Sequence, residues 1–198
     1  MIDTCTPHLS VALFDGEQLI GHRHVLIGRG HAEQLLPTIS DLPDGGRATA
    51  ICVGCGPGSF TGQRIGIAAA KALAFGWGAD LKGFNTLSLV AAHGRSLSGA
   101  DQLAVVIDGG HGEWLVAGGQ AMNDPVVVNS CTPDAAVSCI TDQHVAGQRA
   151  VDFVSLRGFG QAWPAEADAR LFPFLGPKEI FGDLRPLYAR PPDAKVAA

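Results

Sequence analysis

An α/β fold in two lobes is predicted by three observations. A short apolar strand, Thr49 to Val53, runs into Gly54-Cys-Gly-Pro-Gly-Ser-Phe-Thr-Gly62 and restarts as a helix from about Thr61 to Phe75. A strand, a polar or glycine-rich turn and a second strand occur twice, around Asp3 and around Asp108. No short-period repeat intervenes, so the pattern reads as a duplicated lobe and not as a solenoid.

The first strand candidate, Leu9 to Phe14, ends in the turn pair Asp15-Gly16, and Leu19 to Ile27 follows as its partner. Ile2-Asp3-Thr4 reads as the end of a buried strand whose apolar start is missing, so the strand is very short or its start codon is misplaced. His31 to Ser40 has leucines at 35 and 36 with Ile39, a helical spacing, and Pro37 inside it predicts a bend or an early break. Asp41 to Gly46 is a loop. The helix from Thr61 places Gly62, Gly66, Ala69, Ala70 and Leu73 on one side, a small-residue face that lets another helix approach closely. After a turn at Gly76-Trp77-Gly78, Leu87 to Ala92 is helical, and Ser96 to Gly99 reads as a linker. Leu103 to Asp108 is a second buried strand that ends in Gly109-Gly110, with Glu113 to Ala117 as its mate. Asp134 to Pro177 reads as mixed helix and strand.

The 198 residues carry 14 Lys and Arg against 19 Asp and Glu, a formal net charge of −5. Charged residues make up 17% of the chain, below the roughly 25% of an ordinary globular protein. Such a chain lacks the cationic field of sequence-independent nucleic-acid binding, so contact with RNA is expected to be local or borrowed from a partner. Low charge beside 46% hydrophobic residues predicts that part of the exterior is itself an interface. No uninterrupted apolar run reaches the length of a membrane span. Met1 to His8 carries a carboxylate and a proline where a signal peptide needs a basic start and an apolar run, so a cytoplasmic location is expected. The five cysteines, Cys5, Cys52, Cys55, Cys131 and Cys139, form an odd set expected to stay reduced.

A strand that stops in a glycine loop and restarts as a helix exposes backbone N–H groups at a positive helix end, the usual cradle for phosphate. The specific fingerprints fail when counted. Gly62 is followed by Gln63-Arg64 where a P-loop needs Lys and Ser or Thr, and Thr61 stands where the dinucleotide pattern needs its third glycine. Ser59 has Pro57 and Thr61 two residues away, which excludes the hydrolase elbow. A plain turn into a packed helix therefore stands beside phosphate binding. Cys52 and Cys55 make half a zinc site at most, and for Cys52, inside the strand, a small buried thiol is the ordinary reading. His22, His24 and His31 fix no tetrahedral set and read as surface histidines.

Four segments together carry a resemblance: Ile2-Asp3-Thr4-Cys5-Thr6, His31-Ala-Glu-Gln-Leu-Leu-Pro37, Gly56-Pro-Gly-Ser-Phe-Thr-Gly-Gln-Arg-Ile-Gly66 and Pro186-Leu-Tyr-Ala-Arg-Pro-Pro-Asp-Ala-Lys195. In order and spacing they resemble the TsaB (YeaZ) family, over the first half and the extreme C-terminus. The resemblance implies an actin-like, ASKHA (ribonuclease H-like) fold with mixed sheets flanked by helices. Its lobes would be 1–98 and a reduced 99–198, whose final segment packs back on the first. It also implies a non-catalytic role in placing threonylcarbamoyl on adenosine 37 of tRNAs that read codons beginning with adenine, beside a TsaD-like catalytic subunit and a TsaE-like ATPase, with tRNA reached through the complex.

The same resemblance places ATP or ADP between the lobes, at Asp3 and Thr4 on one side and Asp108, Gly109 and Gly110 on the other. It implies a bundle with the partner's helices formed by His31, Gln34 and Leu35 together with Phe60, Thr61, Gly62, Arg64, Ile65, Gly66, Ala69, Ala70 and Leu73. In isolation the same face is a candidate for homodimer formation. Bulk at Gly66 is expected to abolish association and leave the fold intact. Catalytic relatives carry a His-x-x-x-His metal pair after the glycine-loop helix, and Gly83 to Ala92 contains no histidine, so neither catalytic nor metal-binding residues are expected. The competing function is a stand-alone ATPase or small-molecule kinase of the same fold, recognised by ATP hydrolysis that depends on Asp108.

Overall fold

The computed structural model describes residues 1–120 and 127–189. The chain begins in strand β1 (Ile2–Asp3), turns through Thr4 to Pro7 into β2 (His8–Asp15), and returns as β3 (Gln18–Leu26). Helix α1 (His31–Ser40), β4 (Ala50–Gly54), α2 (Phe60–Trp77), β5 (Asp80–Phe84) and α3 (Thr86–Ser98) complete the first half. The second half runs β6 (Leu103–Gly110), β7 (Glu113–Gln120), β8 (Asn129–Cys131), α4 (Pro133–Cys139), β9 (His144–Ala146), α5 (Ala150–Arg157) and β10 (Gln161–Trp163), and closes with β11 (Ile180–Phe181).

The strands form two mixed sheets, ordered β11-β5-β4-β1-β2-β3 and β10-β9-β6-β7-β8. With β11 set aside, each strand of the first sheet has its counterpart five places later in the second. Directions agree as well. β1, β2 and β3 form an antiparallel meander, as β6, β7 and β8 do, while β4 and β5 extend the first sheet in parallel as β9 and β10 extend the second. The duplication seen as two hairpins thus extends over the whole β-β-β-α-β-α-β unit. The second copy is trimmed: β9 and β10 have 3 residues each where β4 and β5 have 5.

Burial explains the order of layers. Leu9, Val11, Leu35, Ile39, Ile67 and Ala70 close the first sheet against α1 and α2. Val106, Trp114, Ala136 and Phe153 close the second against α4 and α5. Helix α3 joins the two sheets in one cluster, with Leu87, Leu89 and Val90 among Phe84 of the first and Leu103, Val105 and Ala146 of the second. Buried almost all round from Thr86 to Gly94, α3 continues through an exposed last turn to Ser98, so the segment 96–99 is no linker, and Gly99, at φ +69°, ends it by donating its N–H to the Arg95 carbonyl.

Two further expectations change. Helix α1 runs to Ser40 with Pro37 inside it, without the early break, and the Ser40 hydroxyl donates to the Pro37 carbonyl at 2.8 Å. Strand β5 was invisible in the sequence, because Asp80-Leu-Lys-Gly-Phe84 offers neither alternation nor β-branched residues; its parallel register on β4 creates it. The late strand β11 pairs antiparallel with β5, which brings the chain after residue 177 back to the first sheet. Residues 190–195 of the tail motif lie outside the described residues.

Candidate functional site

The two hairpin turns face each other across an open cleft of about 840 Å³, a size that suits a small organic ligand. Asp108, Gly109 and Gly110 line one side. Asp3 and Thr4 do not line the other. Both are fully buried, and their side chains are already engaged. Asp3 accepts from the Cys5 N–H at 2.9 Å and from the Thr86 hydroxyl at 2.8 Å, and the Thr4 hydroxyl donates to the Gly62 carbonyl at 2.7 Å. Cys5, Thr6 and Pro7, one step further along the same turn, form the wall in their place, with Pro57, Gly58, Ser59, Phe60 and Gln63 beside them.

The glycine loop is held to this turn by its backbone. Ser59 N–H donates to the Cys5 carbonyl at 2.7 Å, and the Ser59 hydroxyl caps α2 by accepting from Gly62 N–H at 3.1 Å. A Cβ at Gly62 would collide with the Thr4 carbonyl, and one at Gly66 with the Thr4 hydroxyl. The small-residue stripe therefore points inward: Gly62, Gly66 and Ala70 are buried against the chain's own β1 and β4, not open to a partner helix. His31 and Leu35 are also buried in the first lobe's own layer. Of the residues assigned to the bundle, Gln34, Phe60, Thr61 and Arg64 are exposed and Ile65, Ala69 and Leu73 half-buried. The period identified the residues that share a face but reversed which face is free.

Electrostatics separate the two turns. Burial pushes the Asp3 carboxyl up to about 6, against its two hydrogen bonds. Burial also pushes Asp108 up, but the Gly110 N–H and the Arg149 guanidinium outweigh it and hold the carboxyl below its ordinary value. Arg149 bridges Asp108 at 2.8 Å and Asp152 at 2.9 Å. Gln63 is buried at the cleft wall, donates to the Gly58 carbonyl at 3.1 Å, and has no partner for Oε1 among the described residues.

The other candidates fall out of the chemistry. Burial drives the Cys52 thiol to about 12 and Cys55 to about 11, so neither is a thiolate nucleophile near neutral pH. They also belong to different core clusters. Among the described residues no three His, Cys, Asp or Glu side chains are placed to hold a metal ion, and no helix is long and apolar enough to cross a membrane. His22 is exposed as expected, but His31 is buried, and His24 is half-buried, stacked on His8 at 4.6 Å with Nδ1 2.9 Å from the Ser10 hydroxyl.

At the cleft rim Phe60, Arg64 and Tyr188 form a cluster that sequence reasoning did not assemble. The Arg64 guanidinium lies 3.6 Å from the Phe60 ring centre, Arg64 Nε donates to the Tyr188 hydroxyl at 3.1 Å, and the two rings stack at 5.3 Å. The signal was present, since Phe60 and Arg64 stand in the glycine motif and Tyr188 in the tail motif. Arg29 and Gln148, also on the cleft wall, had no such signal.

A family model for TsaD, tRNA N6-adenosine threonylcarbamoyltransferase, matches residues 25–141. The chain is 38% identical over 117 residues to the tRNA threonylcarbamoyladenosine biosynthesis protein TsaB of Escherichia coli K12, covering 57% of this chain and 50% of that protein. It is 35% identical over 113 residues to the protein of the same name from Haemophilus influenzae, covering 54% of this chain and 47% of that one. The chain thus spans about half the length of the curated relatives it matches. Among solved structures, YeaZ from Pseudomonas aeruginosa superposes with a TM-score of 0.70 at 29% identity over 88% of this chain and 87% of that one. The two matched mixed sheets are those of the actin-like, ASKHA fold.

Proposed function

The chain belongs to the TsaB (YeaZ) branch of the family that the threonylcarbamoyltransferase model describes, and from that premise we propose that it is a non-catalytic subunit in tRNA threonylcarbamoyladenosine biosynthesis. Its lobes are 1–98 and 99–198, its location is the cytoplasm, and its partner is a TsaD-type catalytic subunit. A TsaE-type ATPase and tRNA meet the complex and not this chain alone.

The observation that carries the reading is convergence. Three of the four segments on which the resemblance rests meet at one place: Cys5 and Thr6, Pro57 to Phe60 with Gln63, and Tyr188 line the same cleft and its rim. Beside them the exposed side of α2 supplies the docking face, in place of the buried glycine stripe. A nucleotide in the cleft would meet Thr6, Gly58, Gly109 and Gly110, since Asp3 and Thr4 are spent on the fold. The cleft size and the backbone of the Gly109-Gly110 turn fit such a ligand.

The test is reconstitution. Threonylcarbamoyladenosine formation on tRNA, assayed with the TsaD-type protein of the same organism, should require this chain. Equal modification without it, or ATP hydrolysis by this chain alone that is lost on Asp108→Ala, contradicts the proposal.

A further inference from the structure

After β10 the chain crosses from the second sheet back to the first, and the crossing segment, residues 164–170, is fastened by groups that can titrate. It leads into a 3-10 turn, Ala169–Phe174, whose Phe172 ring lies 6.4 Å from Phe14 of β2 and 6.5 Å from Phe84 of β5. Glu166 joins the two lobes. Its Oε2 accepts from Gln148 Nε2 at 2.9 Å and lies 3.3 Å from His8 Nδ1 of β2, and Gln148 stands on the cleft wall. Three residues on, Ala169 N–H donates to the Ser10 hydroxyl at 2.8 Å, and that hydroxyl is 2.9 Å from His24 Nδ1 of β3. The first lobe thus holds the segment at two points, at His8 and at the Ser10–His24 pair.

The two histidines at those points lie against each other. His8 and His24 stack with ring centres 4.6 Å apart and planes 7° from parallel, and at that distance a charge on one ring opposes a charge on the other. Burial holds the His24 imidazole below its ordinary value, with His8 and Arg170 acting in the same sense against the pull of Asp168 and Glu166. Asp168 is itself paired with Arg170. The remaining histidines are placed differently. His93 of α3 has Nδ1 3.0 Å from the Glu166 N–H and 3.1 Å from the Glu166 carbonyl, so it keeps a partner with or without a proton there. His31 of α1 reaches the His8 carbonyl, at 3.4 Å, and not the stacked ring.

We propose that the His8–His24 stack is an acid-released latch between the lobes: charging His24 breaks the stack, frees segment 164–170 from β2 and β3, and takes from Gln148 the carboxylate that anchors it at the cleft wall. The sign follows from where His24 binds its proton more readily. An imidazole held low in the latched form takes its proton more easily once the segment is released, so the latch is closed above the ordinary value of 6.5 and weakens as pH falls below it. The latch is independent of which protein the chain assembles with.

The experiment is hydrogen–deuterium exchange of the full chain, read by mass spectrometry at about pH 7.5 and about pH 5.5, on either side of an ordinary imidazole's titration, with rates corrected for the intrinsic pH dependence of amide exchange. Protection of a peptide covering 164–170 should fall at least about threefold more than protection of β4. His24→Phe, which keeps a ring on His8 and cannot charge, should abolish that fall. His24→Lys, charged throughout, should show the low protection already at the higher pH. Circular dichroism at both pH values checks that the sheets persist, and if His24→Lys does not fold, the parent and His24→Phe decide. Unchanged protection in the parent, or an equal fall in His24→Phe, overturns the latch.

Discussion

The first hairpin turn and the second occupy equivalent places in a duplicated unit, yet one is sealed and the other open. Asp3, Thr4, Cys5 and Thr6 are all buried, stitched to the glycine loop and to Thr86. Asp108 and Gly110 are exposed, and among the described residues Asp108 is tied to its own turn and to Arg149. Equal topology has been put to different use: the first turn anchors α2 and α3, and the second stands open at the cleft. Acidic residues at matching positions therefore do not have matching roles.

Substitutions break that comparison in a definite order. Gly66→Leu should be the most damaging, because its side chain must displace the Thr4 hydroxyl and the strand behind it. A loss of at least about 3 kcal/mol in chemical denaturation is expected, contrary to the idea that bulk there would spare the fold. Asp3→Ala should follow, at about 2–4 kcal/mol, because it strands the buried Thr86 hydroxyl and Cys5 N–H. Asp108→Ala should cost less than about 1 kcal/mol, since its ion pair is solvent-exposed. Comparable losses at the two aspartates would erase the distinction between the turns.

Acidity sharpens the contrast. The Asp3 carboxyl is raised from 3.8 to about 6 in the fold, so between those values the folded chain holds a proton that the unfolded chain has released. Stability from this group is present below about pH 4 and declines as pH rises toward about 6. Asp108, held low, works in the opposite sense, with stability lost as pH falls through its folded value. Asp3→Asn should remove the decline between pH 4 and 6 from the melting curve, and Asp108→Asn should leave it in place. Gly110→Ala, where φ is +74° and no atom lies within 4 Å of the added Cβ, ranks with Asp108→Ala among the small effects. Only the backbone strain of about 1 kcal/mol is at stake.

The duplicated plan was legible because hairpins and a strand-loop-helix junction leave strong local marks. Asp15-Gly16 turns β2 into β3, and the glycine loop ends β4 and caps α2 through Ser59. What failed depended on neighbours. Ser96 to Ser98 extend a helix whose earlier turns, Thr86 to Gly94, are packed between the sheets, and Gly94 suits a close approach to Ala146. Asp3 and Thr4 carried the right motif but one step too early on the turn, since sequence shows which residue types meet and not which of them is sealed. The α2 period was read correctly, but whether its small or its charged side met the chain's own strands was a tertiary fact.

The most direct test of the scaffold account is the mass of what this chain forms when co-expressed and co-purified with the TsaD-type protein of its own organism. The account predicts a stable complex containing both chains in equal numbers, retained through size exclusion and read by native mass spectrometry. Separate elution of the two proteins at concentrations that suffice for tRNA modification would contradict it.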